Sequence, residues 1–578
     1  MCGIYGITEK NENLIKTIIK KCSHRGPDGF DLFSNERLTL GHNLLSITSK
    51  PKEGKQPWIS ERKNVLVYNG EIFNYEELKH IYKDKFFPKT TCDTELLSWL
   101  LDNIPYEKVL SKLIDSMHSF AWYNKSKNEI ILSRDHAGIK PLYFAFLNSG
   151  IIFCSEIKGL LAHVKGSNII DRHALACTSL LGVNVLRQTI FKGIYKVLPG
   201  ETIIYSIGEK KIKRTFRYFV KPYSNNKLNI DDFLQNTSLT IKNSTLGMRK
   251  FGIFLSGGID SSIVAYELNK NLKNISSFTN LIDPNEIIDG EDHNSDAKVA
   301  KKFSKTLKLN HQEVKITPNI ISDYWNDTIR FMEEPRYNWN LPMYYYTNKF
   351  LSQNKIVVTM SGDIGDELYG GYANYFRIKN IINKPKTWDE FIRLWMRKFA
   401  SPIKLNVNFG NEDLHEILKE SLPEEIWNPD DIANSAMALD CITVVSEDFF
   451  TRNDKFGMAF SMEGRFPLAS KKYMEYCLSI NSDHKFGTNI NHTKLPVKIS
   501  YKETLPDYIL NKEKTGWSVP TSTWLTKFEN IKNKYIETCS VEDGISPILS
   551  KENYSGNSKR MLITWILRSW AQEYKMHL

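Results

Sequence analysis

A cysteine stands at position 2, directly after the initiator methionine, where its chemistry depends on how the chain is processed. Removal of Met1 would leave Cys2 with a free α-amine beside its thiol. An α-amine titrates near neutrality, with a pKa of roughly 8, and can therefore accept the thiol proton. Cys2 would then be nucleophile and base in one residue. The plainer alternative is a structural cysteine in a strand, since free cysteines are often buried.

A glycine-rich loop in the middle of the chain has the composition of a phosphate site. The apolar run Phe251–Leu255 predicts a buried strand, and the segment SGGIDSS leads from it into a predicted helix, whose N-terminal amides can approach phosphates. No lysine follows the glycines as it does in a Walker loop, and Asp260 inside the loop instead suits a phosphate-bound Mg²⁺. The loop residues predicted to bind ATP are Leu255, Ser256, Gly257, Gly258, Asp260, Ser261 and Ser262.

A second acidic segment follows another predicted strand, which ends at Met360. Because the carboxyl ends of parallel strands meet at one edge of an open α/β sheet, we expect this segment to lie beside Asp260. A single glycine loop could be only a turn that caps its helix through Ser261, but two acid-bearing loops favour a nucleotide and metal site. The residues of the second segment predicted to act there are Ser361, Gly362, Asp363 and Asp366.

Two different patterns of elements must position these groups. Residues 1–160 show short apolar or alternating runs broken by turn signals, which predicts strand-rich layers with a few helices. After about Pro222 a polar segment predicts a linker, and strands then alternate with helices, which indicates a parallel α/β sheet. From about residue 385 the pattern is helical. The predicted strands of the first part are Leu38–Leu45, Val65–Tyr68, Ser119–Tyr123, Ile130–Ser133 and Ile151–Cys154.

Length and composition narrow the class of protein. The chain has 578 residues, which exceeds one core and predicts two or more domains. Its net charge of +11, from 77 basic and 66 acidic residues, is spread without a concentrated block, so we expect no nucleic-acid partner. No apolar run is long enough to span a bilayer, and no signal peptide is recognisable, so we expect no membrane association. The eight cysteines form no CxxC motif, which fits a reducing, cytoplasmic compartment.

The first 158 residues resemble the class II glutamine amidotransferase domain, an N-terminal-nucleophile hydrolase. The resemblance rests on the segments MCGIYG, HRGPD, NGEIFN and TCDTE in this order, and continues through RDHAGIKPLY and FCSEIKGL. It implies that Cys2 attacks the carboxamide of glutamine. It further implies that Asn69 and Gly70 bind the oxyanion that forms, which needs fixed donors, and that Glu71 and Asp93 bind the α-amine of glutamine.

One position departs from this pattern. The family commonly has an arginine that pairs with the α-carboxylate of glutamine, in a segment that here reads GHNLLSI, and Leu44 takes its place. Loss of a charged hydrogen-bonded pair, worth about 1.5–3 kcal/mol, would weaken glutamine binding on the order of tenfold to a hundredfold. Either another basic group substitutes, or the glutaminase is weak, or the amide donor differs.

The remainder resembles the synthetase domain of asparagine synthetases, with the segment SGDIGDELYGGY as its strongest part. The resemblance implies that Asp260 and Asp366 bind Mg²⁺, that Asp363 supports formation of an acyl-adenylate, and that Lys494 is catalytic. Ile364 replaces a usual glycine, so we expect an altered turn. Further matches are RND with MAFSMEGRFP near residue 460, and NKEKTGW with a later proline and WL near residue 517.

The resemblance covers nearly the whole chain and implies a fold and an activity. The fold is an α+β N-terminal-nucleophile hydrolase domain of layered antiparallel sheets with helices (2–190), a connecting segment and linker (191–230), and an α/β parallel-sheet ATP-pyrophosphatase domain with a helical C-terminal part (231–578). The activity is amide synthesis with ATP and Mg²⁺, in which ammonia from glutamine crosses a tunnel to an adenylated carboxylate, with aspartate as the leading substrate.

The identity of that carboxylate stays open. Enzymes on the same scaffold amidate sugar acids, peptides or other metabolites, and the residues at positions 44 and 364 favour some divergence. Retention of Cys2 argues against the β-lactam-forming branch. A regulatory protein without activity is a third alternative, which the two acid-bearing nucleotide motifs disfavour. We also leave a homodimer open.

Overall fold

A computed structural model describes residues 2–223, 225–287, 292–399, 411–513, 519–549 and 558–577. The part of the predicted C-terminal motif at positions 514–517 lies outside the described residues. No helix among the described residues is long and apolar enough to cross a membrane.

Two six-stranded antiparallel sheets form the amino-terminal domain, in the strand orders β10-β8-β9-β1-β3-β2 and β12-β11-β7-β6-β5-β4. Their strands are β1 (Gly3–Ile7), β2 (Gly29–Ser34), β3 (Thr39–Leu44), β4 (Trp58–Ile59), β5 (Val65–Ile72), β6 (Ser116–Asn124), β7 (Glu129–Arg134), β8 (Tyr143–Leu147), β9 (Gly150–Cys154), β10 (Ile194–Lys196), β11 (Glu201–Ser206) and β12 (Lys211–Arg217). The last three strands lie in the predicted connecting segment and are hydrogen-bonded into these sheets.

Alternation along the strands explains the layers. On β5, Val65 and Val67 pack with Ile4 and Phe153 of the facing sheet. Their neighbours Leu66 and Tyr68 point to the other side, into a core formed with two helices. Successive side chains of a strand face opposite ways, so one continuous apolar run is buried on both faces. The helices of this domain are α1 (Glu12–Lys21), α2 (Tyr75–Ile81), α3 (Asp93–Asn103), α4 (Tyr106–Lys108) and α5 (Arg172–Leu181).

A five-stranded, fully parallel sheet forms the centre of the second domain, in the order β15-β14-β13-β16-β17. Its strands are β13 (Phe251–Phe254), β14 (Ser276–Ile282), β15 (Asn310–Ile316), β16 (Val358–Met360) and β17 (Glu463–Arg465). The chain runs outward from β13 to β15 and then returns to β16 on the other side of β13. The strand order therefore reverses between β13 and β16, which is where open α/β sheets bind ligands.

Helices cover this sheet and make up most of the remaining chain. They are α6 (Ile230–Asn243), α7 (Ile259–Asn271), α8 (Ser295–Thr306), α9 (Pro318–Met332), α10 (Leu341–Gln353), α11 (Gly365–Tyr369), α12 (Ala373–Lys379), α13 (Trp388–Met396), α14 (Asn411–Ser421), α15 (Ile432–Cys441), α16 (Thr451–Ala459), α17 (Lys471–Ser479), α18 (Leu495–Ser500), α19 (Asp507–Leu510), α20 (Thr521–Lys527), α21 (Glu529–Ser540) and α22 (Ser558–Glu573). The last helix packs against α9 through Trp325 and Trp565, whose rings stack at 3.6 Å. The predicted fold class is confirmed for both domains.

Candidate active sites

Cys2 lies where the two sheets of the first domain meet. It immediately precedes β1 and is buried, while Asn69 and Gly70 lie on β5 of the opposite sheet. The backbone N–H of Cys2 donates to Oδ1 of Asn69 at 2.9 Å. A Cβ atom on Gly70 would lie 2.3 Å from the carbonyl oxygen of Met117, so only glycine fits. Burial raises the pKa of the Cys2 thiol, which makes a nearby base necessary for thiolate formation.

The two predicted amine-binding acids are close to this pair. Asp93 begins α3 and accepts hydrogen bonds from the Tyr68 hydroxyl (3.1 Å) and the Ile72 amide (3.0 Å). Burial raises the pKa of Asp93 to about 6. Burial, followed by the charge of Asp93, raises the pKa of Glu71 well above its ordinary value. A buried acid whose ionisation is disfavoured by burial and by a neighbouring carboxylate ionises more readily when a cation binds beside it.

Glu71 also contacts the second domain. The Nη2 group of Arg465, on β17, lies 3.1 Å from Oε2 of Glu71, and both side chains are buried. Nη1 of the same guanidinium donates to the carbonyl of Ser244 at 2.8 Å and also to that of Leu246. The edge strand of the parallel sheet and the chain after α6 therefore form part of this site.

Leu44 is buried and contributes no charge to this region. It ends β3, and a Cβ on Gly54 would lie 3.3 Å from its Cδ1 atom, so Leu44 packs against the following loop. A cavity of about 190 Å³ opens beside the two acids and is lined by residues of both domains, including Glu71, Asp93 and Gly247. The structure thus pairs the acids with a pocket of amino-acid size that has no arginine at position 44.

The glycine loop of the second domain follows β13 and leads into the N-terminus of α7. Its hydroxyl groups bind within the loop: Ser256 Oγ lies 3.0 Å from Ser261 Oγ, and Ser262 Oγ donates to the Gly258 carbonyl at 2.8 Å. Gly257 has a φ of +79°, and a Cβ there would lie 2.3 Å from a carbonyl oxygen of α8. Glycine is therefore required by conformation and by space. The amides of Ser256 and Gly258 donate to the hydroxyls of Ser261 (3.2 Å) and Ser256 (3.3 Å).

The second acidic segment touches this loop directly. A Cβ on Gly362 would lie 2.5 Å from the Ser261 amide, and one on Gly365 would lie 2.6 Å from the Asp260 carboxyl. Lys494 contacts the Asp260 carboxylate and lies 2.7 Å from Oδ1 of Asp366. Burial would lower the pKa of Lys494, but the charges of the two aspartates outweigh it and raise this pKa. Two carboxylates that share one cationic partner converge closely enough to share a divalent ion, and their oxygens are ligands that Mg²⁺ prefers.

Asp363 lines a cavity of about 270 Å³ that the loops after β13 and β16 share and that Asp260 and Asp366 also line. Its Oδ2 accepts from Ser361 Oγ (2.8 Å) and from Asn453 Nδ2 (3.1 Å). Burial raises the pKa of Asp363, and the charge of Arg452 opposes this. The guanidinium of Arg452 pairs with Asp448 at 3.0 Å.

Ile364 has a backbone conformation that favours glycine. Its φ of +73° and ψ of −10° lie in the left-handed region. A β-branched residue is strained there by roughly 1–3 kcal/mol, and Ile364 is buried among apolar neighbours that offset this strain.

Comparison with known proteins identifies a family for each of the two domains. Residues 1–219 match the glutamine amidotransferase domain, and residues 236–553 match asparagine synthase. The chain belongs to the asparagine synthase family. The family predicted from the sequence motifs is thus confirmed.

Individual members of the asparagine synthase family are distant relatives. A glutamine-hydrolysing asparagine synthetase of Bacillus subtilis is 26% identical over 96% of this chain and 92% of its own length. A putative glutamine-hydrolysing asparagine synthetase of Methanocaldococcus jannaschii is 28% identical over 76% of this chain and 88% of its own. Among solved structures, glutamine phosphoribosylpyrophosphate amidotransferase of B. subtilis, in complex with ADP and GMP, is 15% identical over 54% of this chain and 65% of its own, with a TM-score of 0.28.

In this asparagine synthase family member, buried charges join the two domains beside Cys2. Nη1 of Arg25 donates to Glu156 (3.0 Å) and to Asp454 of the second domain (2.9 Å), and its Nε donates to the Cys2 carbonyl (3.2 Å). All three charged side chains are buried. Sequence reasoning included Arg25 and Asp454 in family motifs but gave them no role, and it overlooked the contact of Arg465 with Glu71. The sequence offered one indication of these contacts: charged residues recur inside motifs whose other residues are explained by turns.

Proposed function

We propose that this protein makes an amide from a substrate carboxylate, with ATP as activator and glutamine as nitrogen source, and that aspartate is the carboxylate and asparagine the product. The observation that carries the proposal is the convergence of Asp260, Asp366 and Lys494 between β13 and β16, in one chain with a buried Cys2–Asn69 pair. Family membership and the names of the relatives support the same reaction.

The first half of the reaction releases ammonia. With Met1 removed, the α-amine of Cys2 accepts the thiol proton, and the thiolate attacks the carboxamide carbon of glutamine. The oxyanion accepts hydrogen bonds from the Asn69 side chain and the Gly70 amide. The intermediate collapses with loss of ammonia to a thioester on Cys2, and water hydrolyses this thioester to glutamate. Glu71 and Asp93 bind the substrate ammonium and fix the carboxamide in place.

The second half activates the acceptor. A carboxylate oxygen attacks the α-phosphorus of ATP, and pyrophosphate leaves. The glycine loop binds the phosphates through its amides, and Lys494 stabilises the negative charge that develops on them. Asp260 and Asp366 would hold Mg²⁺, which neutralises pyrophosphate when bound. Ammonia then attacks the acyl-adenylate carbonyl and AMP leaves, while Asp363 supports this intermediate.

Transfer of ammonia occurs inside the protein, by way of the domain interface. Strand β17 pairs with β16, whose following loop carries Asp363, and the same strand contacts Glu71 through Arg465. One short edge strand therefore lies against both sites, and this is the route that we assign to a tunnel.

A different carboxylate is the second candidate for the acceptor. Arg452, the cation beside Asp363, already pairs with Asp448 and lies 4.2 Å from the centre of the Tyr344 ring. A pocket whose cation is neutralised in this way also suits an acceptor that carries a single carboxylate.

The test is a pyrophosphate-release screen of the wild type and Cys2→Ala with aspartate and other carboxylates. Cys2→Ala should lose glutamine-dependent synthesis and keep ammonia-dependent synthesis. Equal loss of both activities would show that Cys2 serves the structure or the second site. Pyrophosphate release with another carboxylate and none with aspartate would replace the acceptor and keep the mechanism.

A further inference from the structure

The cavity beside Glu71 and Asp93 raises a question of charge. A free amino acid enters as an ammonium and a carboxylate, and the two buried acids can balance only the ammonium. The cavity is about 190 Å³, smaller than the roughly 300–1,000 Å³ clefts that hold drug-sized ligands. It therefore fits a small amino acid whose carboxylate needs a cation, and the apolar Leu44 supplies none.

Lys79 is the cationic side chain among the described residues that line this cavity. It lies on α2, near the C-terminal end of the helix, whose Tyr75 and Leu78 are buried in the core. The helix is thus anchored while the lysine faces the cavity. Thr48 also lines this cavity and offers a neutral hydroxyl partner for a carboxylate, whereas the hydroxyls of Thr90 and Thr91 donate to Glu95 and Glu53.

The contacts of Lys79 leave its ammonium available. Its Nζ is 3.8 Å from Oε2 of Glu76 and 5.8 Å from the centre of the Tyr75 ring, and 44% of its side chain is exposed. An exposed pair at this distance contributes little, so the lysine can turn toward a ligand at small cost.

Two arginines of this region already have hydrogen-bond partners. Arg249 donates to the Ser46 carbonyl at 2.8 Å and to Asp28 at 2.6 Å. Arg465 is fully buried and holds Glu71 together with two backbone carbonyls of its own domain. Arg465 cannot bind a ligand without breaking these bonds, and Arg249 is not among the residues that line the cavity.

We propose that Lys79, on helix α2, binds the α-carboxylate of glutamine and takes the role that the family pattern gives to an arginine at the position of Leu44, on strand β3. The inference rests on the proposed glutaminase reaction. It makes L-glutamine, with both α-groups free, the ligand of this pocket, and it makes Lys79 a determinant of specificity.

Kinetics of Lys79→Met test the assignment. The KM for glutamine should rise about tenfold, the lower end expected for a charged hydrogen bond because the lysine is half-exposed. The kcat for glutamine hydrolysis and the ammonia-dependent synthesis should stay unchanged, since binding lost equally from ground and transition state raises KM alone. Lys83→Met, an exposed lysine just beyond α2, is the matched control and should behave as the wild type. A KM within twofold of the wild type in Lys79→Met would overturn the proposal.

Two further measurements identify the group that Lys79 recognises. The wild type should discriminate against the α-methyl ester of glutamine by about the same tenfold, and Lys79→Met should lose this discrimination. Leu44→Arg, introduced into Lys79→Met, should restore a low KM. Undiminished discrimination in the variant would show that another group binds the carboxylate.

Calorimetry separates failure of this inference from failure of the proposed reaction. Cys2→Ala should bind glutamine, and Cys2→Ala with Lys79→Met should bind it about tenfold more weakly. If the wild type hydrolyses no glutamine but this difference is found, the reaction is wrong and the pocket assignment stands. If glutamine does not bind to Cys2→Ala, the assignment is overturned.

Discussion

Replacement of Lys494 by methionine should have opposite effects on metal binding and on catalysis. The ammonium lies 2.7 Å from Asp366, contacts Asp260 and is buried. At 4 Å and an effective dielectric constant of 20, two unit charges repel by about 4 kcal/mol, and a divalent ion and an ammonium repel by about twice that. A metal ion bound by both aspartates therefore requires Lys494 to move away.

The expected change in metal affinity follows from the hydrogen bonds between Lys494 and the two aspartates, which a bound metal ion must break. A hydrogen bond to a charged group is worth about 1.5–3 kcal/mol, which corresponds to roughly a tenfold to a hundredfold change in affinity. Without nucleotide, Lys494→Met should bind Mn²⁺, a carboxylate-preferring substitute for Mg²⁺, tighter by that factor. Pyrophosphate release should fall by a factor of about 10²–10³, the usual cost of removing one donor that stabilises transition-state charge.

Electron paramagnetic resonance titration of free Mn²⁺ gives the affinity, and a coupled pyrophosphate assay gives the rate. Lys494 immediately precedes helix α18 (Leu495–Ser500). The control Lys502→Met removes an exposed lysine just beyond the C-terminus of α18 and should change neither the Mn²⁺ affinity nor the rate. Unchanged or weaker Mn²⁺ binding in Lys494→Met would refute the view that the lysine and the metal ion share one place.

Three other variants test separate parts of the structure. Asp366→Asn should lower pyrophosphate release at least a hundredfold with either nitrogen source and leave glutamine hydrolysis intact; normal release at ordinary Mg²⁺ would exclude it as a metal ligand. Because burial raises the pKa of Asp93 to about 6 and only its ionised form attracts an ammonium, the KM for glutamine should rise as pH falls below about 6; a flat profile from pH 5 to 8 contradicts this, and Asp93→Asn should weaken the dependence. Arg25→Met leaves Asp454 buried without its cationic partner, while Glu156 keeps Lys158 at 2.7 Å, and should cost about 3–5 kcal/mol, seen as an earlier urea transition that Asp454→Asn partly restores; an unchanged transition would contradict this.

Local patterns predicted several of the strands whose side chains alternate or are wholly apolar, but not β8, whose sequence YFAFL is wholly apolar. The predicted run Val65–Tyr68 is the first half of β5, which continues to Ile72 because β6 pairs with it as far as Ser116. Its second half, Asn69 to Glu71, is polar and carries no strand signal. Strands β15 and β17 were overlooked for the same reason: their sequences NHQEVKI and EGR are polar, and parallel neighbours hold them in the sheet.

Site residues near one another in sequence, or at the ends of parallel strands, were predictable from motifs. The contacts between distant charges were not. Arg25 and Asp454 are 429 positions apart, and Arg465 and Glu71 are 394 apart. No periodicity relates such positions, because the packing of whole domains decides which charges meet. At Ile364, likewise, the sequence shows only that the residue disfavours a left-handed conformation. The buried neighbours that hold it in this conformation are known only from the folded structure.

The buried charges between the domains also bear on how such enzymes can evolve. Arg25 is inherited with one domain and Asp454 with the other, so recombination that exchanged one domain for a distant relative's would conserve the interface only if the newcomer carried the matching charge. A mismatch would leave a charged side chain buried between the domains without its partner, next to the Cys2 carbonyl. The protein would lose stability, and Cys2 would be displaced. Selection should therefore keep the two halves as one heritable unit, and new acceptors should arise by changes around Asp363 rather than by shuffling domains.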